Sequence, residues 1–326
     1  MITFGPVPSR RLGRSLGINN IPYKICTYSC VYCQIGRTLK MQLNRAEFYK
    51  PSEIYDAVSR HLEKLTQKGE KVDYMTFVPD GEPTLDKNLG EEIKMLKTHN
   101  IPIAVITNGS LIYDSEVRDA LNEADFISLK VDAVSEKIWR SIDRPHRKLD
   151  LEAILDGMRQ FADRFHGKLV TETMLIDLSN SPIHAQDNRS EQELEKIADF
   201  IAELSPDVAY IAVPTRPPAE EWVAPASEDD IAKAYHIFSS KGLKTEYLIG
   251  FEGYEFASTG DIEKDILSIT AVHPMREDAL AEFLKKNGVE WRIVEQLIEK
   301  GMLKAVDYMG HRYYLRVLKR QEGENN

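Results

Sequence analysis

The order of its predicted elements limits the fold of this chain more than any other feature. Short apolar runs rich in β-branched residues alternate with amphipathic stretches over the first two thirds of the sequence. Such alternation predicts parallel strands joined by right-handed helical crossovers, with the chemistry at the carboxyl ends of the strands. Six such strand–helix units predict an α/β fold built on a partial (β/α)6 barrel rather than a closed barrel of eight units. The predicted strands are residues 16–21, 74–79, 103–107, 126–131, 169–175 and 209–213.

Two of the intervening helices have recognisable beginnings. One helix is predicted at residues 52–66, and another opens at Ser190. There the run S-E-Q-E places Glu193 three residues after the serine, which is a capping-box pattern.

A smaller second domain is predicted after a boundary rich in glycine and acidic residues. We place the barrel domain at 1–250, the linker at 251–265 and the C-terminal domain at 266–326. Three short helices followed by a hairpin predict a winged-helix-like module. These elements are expected near residues 262–271, 276–287 and 290–300 for the helices, and 302–307 and 312–318 for the hairpin.

The charge of this C-terminal region does not favour nucleic acid as its partner. Residues 261–326 hold eleven Lys or Arg and twelve Asp or Glu. Faces that bind phosphate normally carry an excess of positive charge. Contact with a protein, with the barrel or with a small partner is therefore at least as well supported.

The composition is that of a globular protein of the cytoplasm. The chain has 326 residues, of which 42% are hydrophobic and 29% charged. Its first residues lack the apolar core of a signal peptide, and no run approaches the roughly 18 apolar residues of a membrane span. We therefore expect a cytoplasmic protein that does not enter the membrane.

All three cysteines fall within eight positions. Cys26, Cys30 and Cys33 are spaced C-x3-C-x2-C, close enough for three thiolates to bind one inorganic cluster. Three thiolates on a four-iron cluster leave one iron open for a small molecule. A closed zinc site fits less well because no histidine precedes His61, and an odd cysteine count in a long chain does not fit a disulfide framework. Three unrelated buried cysteines are a further alternative.

Positive charge is concentrated around these cysteines. Residues 1–50 contain eight Lys or Arg and one acid, Glu47, although the whole chain carries a net charge of −10. One interpretation is a positive field that attracts an anionic substrate, such as a phosphorylated metabolite or a nucleic acid backbone. The other is that these cations neutralise the cluster and a bound carboxylate, or pair with acids elsewhere in the protein.

The cysteine run, with Tyr32 just before its last cysteine, resembles the signature of the radical S-adenosylmethionine superfamily. The resemblance implies a [4Fe–4S] cluster on Cys26, Cys30 and Cys33, with S-adenosylmethionine on the open iron. It also implies one-electron cleavage of that cofactor to methionine and a 5′-deoxyadenosyl radical, which then abstracts hydrogen from a substrate. Tyr32 is expected beside the cofactor.

Two strand-end motifs support this resemblance. Gly81, Glu82 and Pro83 follow the second predicted strand and resemble the G-G-E-P motif that binds the cofactor's amino group, with Asp80 in place of the first glycine. The third predicted strand ends in T-N-G, and the resemblance implies that Asn108 helps to bind the cofactor.

The fourth predicted strand contributes three polar side chains to one face. Ser128, Lys130 and Asp132 alternate along it, and burying them unpaired is costly. The resemblance places this strand opposite the ribose and the methionine carboxylate, so Lys130 is a candidate partner of that carboxylate. A structural ion pair between Lys130 and Asp132 is the competing explanation.

Three further residues are candidates for the substrate side, together with Lys130. Arg144 follows the fourth unit in a D-R-P-H run, where it can hold a carboxylate or phosphate or lie in a solvated loop. Glu172 is the polar exception in the fifth strand. Arg216 lies in the stiff loop P-T-R-P-P after the sixth.

The opening F-G-P-V-P-S-R-R-L-G run and the later D-G-E-P-T-L, R-P-H and I-T-A-V-H-P-M-R-E runs resemble one branch of the superfamily, the oxidoreductases related to wyosine tRNA-base synthases. Those synthases carry further cysteines for a second cluster, which this chain lacks. The predicted enzyme acts on an unidentified anionic or RNA-related substrate and needs an electron donor such as flavodoxin or ferredoxin. Two alternatives are a non-catalytic iron–sulfur electron carrier and a redox-sensing winged-helix regulator.

Overall fold

A computed structural model describes residues 2–250 and 253–317 of the chain. Its strands are β1 (Thr3–Ser9), β2 (Gly13–Ile18), β3 (Ile25–Cys26), β4 (Lys40–Met41), β5 (Tyr74–Phe77), β6 (Ile103–Thr107), β7 (Phe126–Lys130), β8 (Lys168–Met174), β9 (Ile176–Asp177), β10 (Val208–Ala212), β11 (Ala224–Pro225), β12 (Thr245–Leu248), β13 (Met275–Arg276), β14 (Leu303–Tyr308) and β15 (His311–Arg316). Its α-helices are α1 (Pro51–Gln67), α2 (Leu89–Leu96), α3 (Ser115–Leu121), α4 (Glu136–Ile142), α5 (Leu151–Ala162), α6 (Glu191–Leu204), α7 (Glu228–Ser240), α8 (Ile262–Val272), α9 (Glu277–Lys286) and α10 (Arg292–Glu299).

Eight strands form the main sheet, in the order β1-β2-β5-β6-β7-β8-β10-β12. β1 is antiparallel to β2, and every other neighbouring pair is parallel. The sheet curls into a partial barrel with helices between its parallel strands, so the predicted α/β partial barrel is confirmed. The carboxyl ends of the parallel strands meet at one rim, where the predicted site residues lie.

All six predicted strands are present, and two edge strands were missed. β1 contains Gly5, Pro6 and Pro8, residues that normally argue against a strand and that an edge position tolerates. β12 is short and half of it is exposed, so it lacks the apolar run of a buried parallel strand. Both misses have the same cause, because edge strands need not carry the pattern of the interior.

Helices pack on the outer face of the sheet through apolar stripes. In α1 the buried residues Ile54, Val58, His61 and Leu65 recur every three or four positions, which is the period of one helix face. This helix begins one residue before the predicted range and ends one residue after it.

The predicted capping box at α6 is only half formed. Ser190 Oγ accepts from the Glu193 amide at 3.3 Å, as expected. The Glu193 carboxylate instead accepts from the amides of Val134 and Ser135, each at 3.0 Å. This residue therefore ties α6 to the start of α4 rather than closing its own helix terminus.

The C-terminal elements form three helices followed by a hairpin, close to the predicted positions. β15 lies between β13 and β14 in a three-stranded sheet. Their apolar core includes Ile266 and Phe283, and it also takes in Phe4 and Val7 of β1. β1 thus links the barrel sheet to the C-terminal core. Residues 251–252 of the predicted linker and 318–326 of the predicted C-terminal domain lie outside the described residues.

Among the described residues, no helix is both long and apolar enough to cross a bilayer.

Phe4 is expected to stabilise both parts of the protein. Its ring is 3% exposed, belongs to the C-terminal core, and packs so tightly on Gly17 that a Cβ there would lie 2.0 Å from it. Phe4→Ala should lower the free energy of unfolding by about 3–5 kcal/mol through the lost apolar contacts and the cavity left behind. Urea denaturation followed by circular dichroism measures this. Ile183→Ala, at a side chain 66% exposed, is the control and should leave the midpoint unchanged; an equal midpoint for Phe4→Ala would contradict this role.

Candidate active site

The three cysteines lie together at the rim of the partial barrel. Cys26 ends β3, whose backbone pairs with β4. Cys33 and Gly36 then close two successive turns, because the Cys33 amide donates to Cys30 O at 3.2 Å and the Gly36 amide to Cys33 O at 3.0 Å. All three cysteine side chains line one cavity of about 310 Å³.

The surroundings of the cysteines suit a metal cluster. Burial and the nearby Glu82 carboxylate raise the pKa of Cys26 to about 12, and burial raises the pKa of Cys30. Such thiols ionise when iron compensates the thiolate charge. Side-chain N–H donors also face the sulfurs: Lys24 Nζ lies 3.7 Å from Cys33 Sγ, and the amide Nδ2 of Asn108 lies 3.7 Å from Cys26 Sγ. Donors of this kind tune iron–sulfur centres.

A single-ion site is a different arrangement from a cluster. Across residues 2–250 and 253–317, no group of three or more His, Cys, Asp or Glu side chains is arranged to hold one metal ion. In a four-iron cluster each cysteine binds a different iron, so the sulfurs need not converge on one point. The cysteine set therefore fits a cluster better than an isolated zinc ion.

Gly81 lets the segment after β5 approach the cysteine loop. A Cβ at this position would lie 1.8 Å from the carbonyl oxygen of Ile25, the residue before Cys26. The Glu82 amide donates to the same oxygen at 3.3 Å. Asp80, which replaces the expected glycine, exchanges two hydrogen bonds with Asn19, both at 3.1 Å. The departure from the motif is thus accommodated away from the Ile25 contact.

The Glu82 side chain is fully engaged by the protein. Its carboxylate accepts from Thr84 N at 3.1 Å, Thr84 Oγ1 at 2.6 Å, Thr107 Oγ1 at 2.5 Å and Asn108 N at 2.8 Å. Burial nevertheless raises the pKa of this carboxyl. Glu82 therefore holds the T-N-G turn, and Pro83, which starts the 3-10 helix Pro83–Leu85, is buried behind it.

Asn108 joins the T-N-G turn to the cysteine loop. Its Nδ2 donates to Thr27 Oγ1 at 2.9 Å, and Ser110 Oγ donates to the same oxygen at 2.7 Å. The ends of β5 and β6 are thus both tied to residues beside Cys26. Sequence reasoning found Asn108 but missed Thr27, whose position between two motif cysteines was the available signal.

The polar side chains of β7 and β8 form one network inside the barrel. Lys130 Nζ lies 2.9 Å from Glu172 Oε1 and 3.7 Å from Asp132 Oδ1. The ion pair considered as an alternative for Lys130 is therefore present, with Glu172 as the nearer partner. Arg11 also pairs with Glu172 and donates to Ser128 Oγ at 2.9 Å.

Charge compensation in this network fixes its ionisation. Burial alone would raise the pKa of Glu172, but Arg11 and Lys130 outweigh it and hold that pKa at about 2. Burial opposes the charge on Lys130, whereas Asp132 and Glu172 raise its pKa. Glu172 and Lys130 are therefore both charged at neutral pH.

Sequence reasoning missed Arg11. It lies in the turn between β1 and β2, at the amino ends of the parallel strands. From that end of the barrel its side chain extends inward to Ser128. Since β1 was not predicted, the sequence pattern did not place this turn at the amino-terminal end of the barrel.

Tyr32 connects the cysteine loop to this network. Its hydroxyl donates to Asp132 Oδ2, and Lys130 Nζ lies 4.9 Å from its ring centroid. Asp132 also accepts from the Met174 amide at 2.7 Å. The residue before the last cysteine is thus held by β7 and β8.

The two predicted arginines have different surroundings. Arg144 pairs with the buried Glu220, which also accepts from Arg37 at 2.7 Å. Arg216 lies at the cavity, where its Nη1 donates to Gln34 Oε1 at 2.6 Å and its Nη2 lies 3.0 Å from His273 Nε2.

The cavity brings together most of the predicted residues. Those that line it are Cys26, Cys30, Tyr32, Cys33, Gly81, Lys130, Glu172 and Arg216. Six others are not among its described lining residues, namely Glu82, Pro83, Asn108, Ser128, Asp132 and Arg144.

The Gly81 contact predicts a test of the site. Gly81→Ala should push the Ile25 backbone away and displace Cys26, because no side-chain rotation relieves a clash with a carbonyl oxygen. We expect the variant to remain folded but to bind far less iron and sulfide on anaerobic reconstitution, measured by elemental analysis. Gly90→Ala is the control, because this glycine lies in α2 without a positive φ and its Cβ would lie 3.2 Å from Ala120 Cα, which asks for only a small shift. Full iron loading of Gly81→Ala would contradict the proposed packing.

Glu172→Gln tests the charge network. Removing the anion between two buried cations should cost about 3–5 kcal/mol at pH 7, measured by urea denaturation. Because the pKa of Glu172 is lowered to about 2, its contribution is present above the ordinary glutamate pKa and is lost as the pH falls toward 2. The difference between wild type and variant should therefore shrink on acidification. Glu203→Gln is the control, because Glu203 is exposed and pairs with Arg159 at the surface. Equal free energies of unfolding for wild type and Glu172→Gln at pH 7 would rule out the charge compensation.

Comparisons with known proteins agree with this geometry. The family model described as the radical SAM superfamily matches residues 20–201. A UPF0026 protein of Methanocaldococcus jannaschii is 45% identical over 323 residues, covering 98% of each chain.

Solved structures resemble the chain at low sequence identity. A radical SAM methyltransferase from Sphaerobacter thermophilus aligns with a TM-score of 0.51 and 15% identity, over 72% of this chain and 66% of that one. TYW1 with a lysine–pyruvate adduct bound aligns over 93% of this chain and 80% of that chain, at 13% identity and a TM-score of 0.42.

Members of the matched family use a [4Fe–4S] cluster and S-adenosylmethionine, the two cofactors predicted for this chain. The family match spans more than half of the sequence and includes the cysteine loop and four of the six predicted strands, all except the first and the last. The chain belongs to the radical SAM superfamily.

Proposed function

We propose that this protein is an enzyme that reductively cleaves S-adenosylmethionine and abstracts hydrogen from a substrate. The observation that best supports this is the meeting of Cys26, Cys30 and Cys33 with Gly81 and Lys130 at one cavity. When bound, the cluster and S-adenosylmethionine supply one-electron cleavage to methionine and a 5′-deoxyadenosyl radical. An electron carrier would not need the polar strand ends that surround the cysteines.

The chain's own residues have distinct proposed roles toward the cofactors. The cluster is held by Cys26, Cys30 and Cys33. Gly81 sets the distance between the cysteine loop and the end of β5. The remaining cofactor-side residues either line the cavity or position residues that do, which favours one fixed orientation of the cofactor. These are Tyr32, Glu82, Pro83, Asn108, Ser128, Lys130 and Asp132.

The substrate side is proposed from residues that face the cavity. Lys130 and Glu172 form its charged inner wall, and Arg216 lies nearer its mouth. Arg144 does not line the cavity, so we propose that it positions the loop that carries Glu220 and Trp222.

The charge of the lining favours an anionic substrate. The cations Arg11, Lys24, Lys130 and Arg216 outnumber the acids of the lining, Asp80 and Glu172. A phosphorylated metabolite or part of an RNA would complement this balance. We place the enzyme in the cytoplasm, where thiols stay reduced, with an electron-transfer protein as its reductant.

The Cys30→Ala variant tests this function. Wild-type protein, reconstituted anaerobically and reduced with dithionite, should convert S-adenosylmethionine to 5′-deoxyadenosine, measured by chromatography. Cys30→Ala should lower this yield at least 100-fold, because two cysteines cannot hold the cluster in place. Arg140→Ala, on the exposed face of α4, is the control and should retain the wild-type rate.

A different result would favour the rival classes. If the wild-type cluster is fully loaded and reducible, but S-adenosylmethionine is neither bound nor cleaved, the enzyme proposal is wrong. Electron transfer or redox sensing would then remain.

A further inference from the structure

The outer side of the cysteine loop carries exposed apolar side chains. Leu39 is 55% exposed and Met41 is 37% exposed, and Lys40 between them is also open to solvent. Exposed apolar side chains are ordinary when they stand alone, so Leu39 and Met41 point to an interaction surface only together with their surroundings.

These residues lie directly beside a cluster ligand. In the pairing of β3 with β4, Met41 is the register partner of Cys26, and Lys40 is the partner of Ile25. The amides of Leu39 and Lys40 both donate to Lys24 O at 3.1 Å. Neighbouring strands are about 4.8 Å apart, so a partner seated on Met41 is one strand away from Cys26.

A second segment flanks the cysteines on their other side. The Ser29 amide donates to Asp143 O at 3.0 Å, and the His146 amide donates to Thr27 O at 2.9 Å. The chain then continues into Arg147 and Lys148, which are both exposed. The cysteine strand is therefore bordered by two segments that each present cations.

The cations of this face are available to a partner. Among the ion pairs of residues 2–250 and 253–317, none involves Lys40, Arg147 or Lys148. Arg37 is 69% exposed on its side chain although it pairs with Glu220, a carboxylate that Arg144 also neutralises. This face is positive on a chain whose net charge is −10.

We propose that this face, formed by residues 37–41 and 146–148, docks an acidic one-electron carrier protein that reduces the cluster. One electron passes from the reduced carrier to the cluster, so the carrier is oxidised and the cluster is reduced by one electron. No bond is made or broken and no proton moves. The inference rests on the proposed function only in that Cys26, Cys30 and Cys33 hold a cluster.

A redox carrier fits this face better than RNA does. An apolar centre with a charged rim is typical of transient protein interfaces, and complementary charge speeds their association. Single-stranded RNA is usually bound by aromatic side chains that stack on bases, and residues 37–41 and 146–148 contain no Phe, Tyr or Trp. Contact beside Cys26 also has an evident purpose for electron transfer and none for RNA binding.

The test measures cluster reduction by reduced flavodoxin and, separately, by reduced ferredoxin. The full-length protein is reconstituted, and its absorbance is followed by anaerobic stopped flow without S-adenosylmethionine. The variant combines Lys40→Glu, Arg147→Glu and Lys148→Glu. The matched control makes the same change in net charge at exposed lysines elsewhere, with Lys94→Glu, Lys244→Glu and Lys285→Glu.

At low salt we expect the second-order rate constant with at least one carrier to fall 10-fold or more in the face variant and less than 3-fold in the control. The difference should narrow as salt is raised, because screening removes steering by charge. Leu39→Ser should slow reduction at every salt concentration. Dithionite, which needs no docking surface, should reduce all variants at the wild-type rate.

Several outcomes would overturn the proposal. These are equal carrier rates in the face variant and the control, reduction of wild type by dithionite but by neither carrier, and slower dithionite reduction of the face variant, which would mean a damaged cluster site. Loss of binding to a labelled tRNA with carrier reduction intact would assign the face to RNA. Because no S-adenosylmethionine is present, failure of the proposed cleavage reaction would leave this test valid.

Discussion

The close contact between Gly81 and the Ile25 carbonyl is the constraint on which the site depends. It presses the cysteine loop against the end of β5 with no room for a side chain between them. The next residue, Glu82, then holds the end of β6 through Thr107 and Asn108. Two strand ends and the loop with all three cysteines thus become one unit, and this unit is the rim of the cavity.

The inner wall of the barrel depends on compensation of buried charge. Glu172 lies between Arg11 and Lys130, and burying any one of these charges alone would be costly. Arg11 comes from the β1–β2 turn, so the N-terminal hairpin supplies both this charge and, through Phe4, the contact with the C-terminal core. The hairpin of β1 and β2 therefore connects the cavity, the sheet edge and the C-terminal elements.

Sequence predicted the sheet because its strands follow local patterns. Alternating apolar runs predicted the six interior strands, and eight of the predicted site residues line one cavity. Individual roles depended on long-range partners, which local patterns do not contain. Glu82 is saturated by protein donors, and Arg144 turns to Glu220 outside the cavity. Arg11 was missed because the strand before it contains proline and glycine.

The central claim is that three cysteines hold a four-iron cluster with one iron open to S-adenosylmethionine. Electron paramagnetic resonance of the dithionite-reduced, reconstituted protein tests it most directly, with spectra recorded before and after addition of S-adenosylmethionine. The account predicts a reduced [4Fe–4S] signal whose g-values shift when S-adenosylmethionine binds the open iron. A reduced cluster whose spectrum is unchanged at saturating S-adenosylmethionine would contradict it.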